Sequence, residues 1–236
     1  MAFAIAVRHH CGQLVSDPVI LAPTLKNTYS ELASYADVVR DYRDTRPPST
    51  DDPMAWFAPP GLDLTKVIER SCLSRLRNGK LYPHQQRPFS VWRGAPRQAA
   101  ERLIPRAGEL AAVRSFDQLY GLIRAALRGV SGVGPLTCYD IACRIGRRSQ
   151  PRVEPAEIYL HGGTTMGAKA LGLRVDRDSI PVSELPRDLQ CLTATEAEDV
   201  LCIYKDALGT IARGQNERPK EGRRRRSRRV PRQQSA

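Results

Sequence analysis

The chain has 236 residues, 41% of them hydrophobic, and a formal net charge of +12. That apolar share suffices for one large helical domain or two small ones, and the positive balance favours a polyanionic partner. No segment approaches 18 apolar residues and Met1 to Val7 is too short for a signal-peptide core, so neither a membrane span nor secretion is expected. The six cysteines (Cys11, Cys72, Cys138, Cys143, Cys191, Cys202) lack CxxC spacing, which argues for reduced thiols in a cytoplasmic protein and against a disulfide scaffold or a bound metal.

Residues 1–60 read as a partly helical N-terminal extension. Its clearest element runs from Tyr29 to Tyr42, with Leu32, Tyr35, Ala36 and Val39 on one face. His9, His10 and Cys11 lie together but lack the second ligand pair of a zinc site. Arg46 to Pro53 and Pro59 to Gly61 have turn and linker chemistry. A core begins near Leu62: Leu64, Val67, Ile68, Ser71, Cys72 and Leu76 form a helical stripe that ends at Asn78-Gly79. A polar loop, Lys80 to Pro88, holds His84, Gln85 and Gln86, candidates for reading a base edge. Trp56, Phe57 and Trp92 suit either base stacking or pinning Pro-rich loops to the core. Another helix spans Ala99 to Val113, broken near Pro105.

The next stretch is the most informative. Ser115 to Leu127 carries Leu119, Leu122, Ile123 and Ala126 at helical spacing, with Ser115 and Gln118 placed as a capping box. Gly129 ends that helix, and Gly132-Val133-Gly134 makes a tight turn. Pro135 suits the first position of a second helix, whose buried face is Ile141, Ala142 and Ile145. A glycine turn beside a helix N-terminus directs backbone N–H groups outward, which suits a phosphate. The plainer reading is a helical hairpin whose glycines only permit close packing.

Gly132-Val-Gly-Pro-Leu-Thr137, with Ala142 and Arg144 downstream, resembles the helix-hairpin-helix of DNA repair glycosylases, most of all the 3-methyladenine glycosylase II type. The resemblance is tight over Gly129–Gly146 and loose over Leu62–Gly209. It implies an all-α, two-lobed domain over residues 61–213. The hairpin residues Gly132, Val133, Gly134 and Thr137, followed by Arg147 and Arg148 of a basic loop, would grip duplex DNA. A modified or damaged base would be flipped and excised by hydrolysis, leaving an abasic site. The position that holds a lysine nucleophile in lyase-active members is Leu136 here, so the resemblance implies a monofunctional enzyme without a Schiff base. No iron–sulfur cysteine loop is present, and no cofactor is expected.

The family's aspartate would fall in Glu157-Ile-Tyr-Leu-His-Gly-Gly163, where this chain has His161, Gly162 or Gly163 and no carboxylate. Asp140 is the nearest substitute, although it also suits a first-turn acid favoured by the helix dipole. Glu157 is a further substitute that could reach the cleft, although Pro155-Ala-Glu157 also looks like an ordinary helix start. His161 is a possible base or a structural residue. Lys169, in the following helical stretch, suits phosphate contact, amine nucleophilic chemistry, or a surface position. Thr195 and Glu198 are placed as a second capping box, with Val200, Leu201, Tyr204 and Leu208 on the last helix and Gly209 as its stop.

Residues 214–236 hold nine Lys and Arg against two Glu, a net +7, and read as a disordered Arg-rich tail able to hold nucleic acid nonspecifically. The expected protein is a monomeric DNA glycosylase-like enzyme, with modified foreign (phage) DNA in antiviral defence as one candidate target. The alternatives are a noncatalytic helix-hairpin-helix DNA-binding module, favoured by the absent aspartate, and an RNA-associated basic protein.

Overall fold

A computed structural model describes residues 32–45, 53–81, 94–149 and 151–217. The described chain is mostly helical, 62% against 4% strand, which agrees with the all-α expectation. Among the described residues nine α-helices follow in order: α1 (Tyr35–Thr45), α2 (Leu64–Leu73), α3 (Ala95–Leu103), α4 (Ala107–Ala112), α5 (Phe116–Ala126), α6 (Pro135–Gly146), α7 (Gly162–Ala170), α8 (Ala194–Ile203) and α9 (Lys205–Glu217). Two short antiparallel strands, β1 (Ile158–Tyr159) and β2 (Ser179–Ile180), pair Ile158 with Ile180 and Tyr159 with Ser179.

The apolar stripes of these helices meet in two hydrophobic clusters. The first joins α2 to α6 through residues such as Val67, Ile68, Leu103, Leu119, Ile123, Ile141 and Ile145. The second joins α1, α7, α8 and α9 through Val38, Tyr42, Ala168, Leu201 and Leu208, among others. Strand β1 passes between them. Successive side chains of a strand point to opposite faces, so Tyr159 belongs to the first cluster and Ile158 to the second.

Helix α1 belongs to the second cluster, far from its place in sequence. Tyr35, Val38, Val39 and Tyr42 are buried, whereas Ala36, expected on the inner face, is exposed. The Tyr42 hydroxyl donates to Asp199 (3.0 Å) and the Tyr204 hydroxyl donates to Asp41 (2.7 Å), two crossed bonds that tie α1 to the C-terminal helices.

Several expected helix ends move. Helix α2 stops at Leu73, because Ser74 takes a left-handed backbone (φ 52°), so Leu76 lies outside it. Asp63 caps its start by accepting from the Thr65 N–H. The break near Pro105 is a 3-10 turn, Ile104–Arg106. The second capping box is real but two residues earlier than expected: Thr193 accepts from the Glu196 N–H and Glu196 accepts from the Thr193 N–H. Thr195 is therefore an exposed residue inside α8, and Glu198 is freed for another role. The stop falls at Tyr204, and α9 runs through Gly209.

Glycine sets the spacing of the C-terminal helices. A Cβ on Gly167 would run into the backbone of Leu201, and one on Gly163 into the Cys202 thiol. The two glycines lie four residues apart, hence on one face of α7, and that face lies directly against α8. Gly146 plays a similar part at the end of α6, where a Cβ would meet the Val153 carbonyl.

Candidate nucleic-acid interface and the polar junction beneath it

Helix α5 starts at Ser115, whose hydroxyl accepts from the Gln118 N–H (3.3 Å). The box is not closed as expected, because the Gln118 side-chain oxygen accepts from the N–H of Arg114 instead of Ser115. Gly129 (φ 77°) ends the helix and Gly132 (φ 80°) turns the chain again, both in left-handed conformations that favour glycine. Gly134 differs: its backbone is extended (φ −103°), which any residue adopts, and nothing lies within 4 Å of where a Cβ would stand. Its smallness serves open space outside the fold, not the turn. The Tyr120 hydroxyl donates to the Pro135 carbonyl (3.3 Å) and fixes the start of α6 to α5.

Helix α6 has Pro135 in its first turn and no side-chain cap. Its first-turn amides therefore lack the partner that a capping side chain supplies. They lie beside an exposed tip made of Ser131, Gly132, Gly134 and Pro135. Arg124 and Arg128 are exposed nearby in sequence. An anion at this tip would meet free donors and the positive end of a helix dipole.

The expected DNA-contact residues divide into two groups. Gly132 and Gly134 are exposed, while Val133 is half-buried against the first cluster and Thr137 is buried. Arg147 and Arg148 are half-buried, and the Arg148 Nε donates to the Leu62 carbonyl (2.9 Å), which makes it a tie between α6 and the start of α2.

Below the tip, α6 turns polar side chains inward. Asp140 is 2% exposed, and Arg144 is fully buried with Nη1 donating to the Ser71 carbonyl (2.9 Å) and its guanidinium 4.5 Å from the Phe57 ring centre. The four-residue spacing puts Asp140 and Arg144 on one face of α6. Phe57 thus has the loop-pinning role, as does Trp56, whose Nε1 donates to the Arg75 carbonyl.

His161 precedes α7 and is buried among aromatic rings. Its ring centre lies 5.0 Å from Tyr139, 6.3 Å from Tyr159 and 6.4 Å from Tyr120. Burial, with a smaller contribution from the Arg124 charge and opposed by Asp178, lowers its pKa to about 4, so the imidazole is neutral near pH 7. Its Nε2 is buried with no hydrogen-bond partner among the described residues, and the Tyr139 hydroxyl faces the Cys143 thiol one turn along α6. Burial pushes the Tyr139 hydroxyl and the Cys143 thiol well up from their ordinary values, and the negative charges of Asp140 and Glu198 add to both shifts.

Glu198 is the functional candidate that sequence reasoning missed. It is 4% exposed and accepts from the buried Thr164 hydroxyl (2.6 Å). Thr164 lies one turn beyond His161 on α7. Thr164 and Glu198 thus meet between α7 and α8. Asp140 and Glu198 both act electrostatically on Tyr139 and Cys143, and His161 lies against the Tyr139 ring, so Tyr139 is the common neighbour at this polar junction. The signal was present in sequence but misassigned, since Glu198 also has the spacing of a capping box with Thr195.

Other candidates fall elsewhere. Glu157 begins no helix; it is exposed and accepts from the Ser179 hydroxyl across the β1–β2 pair. Lys169 is exposed on α7, eight residues past His161 and so about 12 Å along the axis. His9, His10, Cys11, His84, Gln85, Gln86, Trp92 and the tail beyond residue 217 lie outside the described residues. Among the described residues no group of His, Cys, Asp and Glu could hold a metal ion, and no helix is long and apolar enough to cross a membrane. No protein family, curated protein or solved structure matches this chain.

Proposed function

We propose that the chain is a helix-hairpin-helix protein that grips duplex DNA at the α5–α6 tip and hydrolyses the N-glycosidic bond of a flipped, modified base. The observation that carries this reading is the tip itself: an uncapped α6 N-terminus beside the exposed Gly134, with open space at its Cα. Such a tip accepts a phosphate oxygen without moving any side chain. The two hydrophobic clusters with a polar junction between them fit the two-lobed arrangement, with the base entering between the lobes. The partner is duplex DNA carrying a damaged or decorated base, foreign DNA included, and the protein acts as a cytoplasmic monomer.

In the proposed reaction the C1′–N bond breaks and its electron pair leaves on the base nitrogen. Water bonds to C1′, and the proton it loses ends on the departing base. A carboxylate at the junction, Asp140 or Glu198, stabilises positive charge on the sugar, and neutral His161 orients the water. Lys169, about 12 Å along α7 from His161, has no part in this reaction. The test is abasic-site formation on a panel of damaged, deaminated and hypermodified DNAs, phage DNA with decorated cytosines included. Strand breakage only after hot alkali, on one class of substrate, is expected. Breakage without alkali contradicts the monofunctional reading.

One observation favours a second reading, a noncatalytic DNA-binding module. Asp140 and Glu198 are enclosed at 2% and 4% exposure, so a sugar reaches them only if the helices around them part. Silence across the panel with duplex binding intact would select this reading.

A further inference from the structure

An open groove runs between α7 and α9, on elements separate from the hairpin. Its floor is made of small residues: a Cβ on Gly209 would stand 3.4 Å from the Ala170 Cβ, so the two helices approach closely. Its rim carries three cations, Lys169 from α7 and Lys205 and Arg213 from α9, against one carboxylate, Asp206. The Lys169 side chain makes no hydrogen bond or ion pair with the described residues. Lys205 reaches the Cys202 carbonyl only at 3.5 Å, and Arg213 spends one Nη2 contact on Thr210 (3.2 Å). Most of the donors on this rim therefore face solvent. Met166, 57% exposed and the exposed large hydrophobic of the described residues, lies in the same groove.

Charge decides the occupant. The segment after α9, residues 218–236, holds nine Lys and Arg against one Glu and would be repelled by the rim. A second copy of a chain with net charge +12 is opposed for the same reason. A polyanion is attracted by both the rim and the basic segment that follows it. Lys205 and Arg213 are eight residues apart on one helix, about 12 Å, or three to four nucleotides of one strand at about 3.4 Å each. The Met166 thioether offers a polarisable surface to a base or sugar.

We propose that the α7–α9 groove is a second nucleic-acid contact, in which Lys169, Lys205 and Arg213 hold the phosphodiester backbone of a DNA strand. This site needs neither the hairpin grip nor base excision. The test titrates the full-length chain with fluorescent duplex DNA across a range of salt. A triple Lys169→Glu, Lys205→Glu, Arg213→Glu variant is compared with a Lys66→Glu, Arg97→Glu control on α2 and α3. The triple variant is expected to bind at least about tenfold more weakly, with the slope of log affinity against log salt shrinking by about 2 to 3. The control should change by much less.

Oxidation of Met166 by peroxide in the folded wild-type chain supplies a readout that survives any misfolding of the triple variant. Saturating DNA is expected to slow sulfoxide formation several-fold. An unchanged slope in a folded triple variant, or an unchanged oxidation rate, overturns the groove. Protection of Met166 by polyglutamate but not by DNA overturns it as well, and assigns the groove to an acidic peptide. Loss of binding in Gly134→Glu alone leaves the hairpin reading standing without the groove, and the reverse pattern does the opposite.

Discussion

Two glycine-rich regions of this molecule use the same residue for opposite purposes. At the α5–α6 tip, Gly132 supplies a left-handed turn and Gly134 leaves space outside the fold. At the α7–α8 seam, Gly163 and Gly167 remove space inside it, so that the backbone of α7 lies against Leu201 and Cys202. The first region presents backbone to solvent; the second presents it to the protein. A Gly-x-Gly and a Gly-x-x-x-Gly therefore make different demands, and substitution separates them.

The largest effect should come from the seam. Gly167→Leu would drive a side chain into the Leu201 backbone and is expected to cost at least about 3 kcal/mol. Chemical denaturation checks this, and a loss under about 1 kcal/mol would mean that the seam opens easily.

Next comes the histidine between the two regions. The folded-state pKa of His161 is lowered from 6.5 to about 4. The unfolded chain therefore binds a proton that the folded chain refuses. The stability tied to neutral His161 is fully present above about pH 6.5 and is lost as pH falls toward 4. Between about pH 7.5 and 5 this amounts to about 2 kcal/mol. His161→Gln should remove that share of the acid sensitivity, seen as a shallower fall in stability over the same interval. An identical pH profile for both proteins would contradict the buried neutral imidazole.

At the tip the effects on stability are smaller. Gly132→Ala places a Cβ on a residue with φ 80° and should cost about 1–2 kcal/mol. Gly134→Ala should be within about 0.5 kcal/mol of wild type, because its backbone is extended and its Cβ would meet nothing. Thermal melts of the pair test the distinction. Equal losses at both positions would mean that Gly134 is conformational after all.

How much of this was legible in the sequence follows the same division. Features set by local chemistry were readable: the spacing of Leu119 and Ile123, the cap at Ser115, the breaks at Gly129 and Pro105, the start at Pro135. Features set by tertiary contact were not. The Tyr42–Asp199 and Tyr204–Asp41 bonds, which bring α1 to the C-terminal helices, join residues 157 and 163 positions apart. The partner of Glu198 is Thr164 on another helix, so a local capping pattern that looked complete at Thr195 concealed it. Gly134 looked like a turn residue beside Gly132, and only its backbone angle shows that the turn does not need it. Lys169 was singled out alone, whereas its neighbours Lys205 and Arg213 come from a helix more than thirty residues later.

The most direct measurement is duplex DNA affinity at fixed salt for wild type, Gly134→Ala and Gly134→Glu. All three should fold equally well, since the added atoms point into open space. The hairpin account predicts near-normal binding by the alanine variant and at least about tenfold weaker binding by the glutamate variant, whose carboxylate would lie where the phosphate belongs. Equal affinity for all three proteins would show that DNA does not approach this tip.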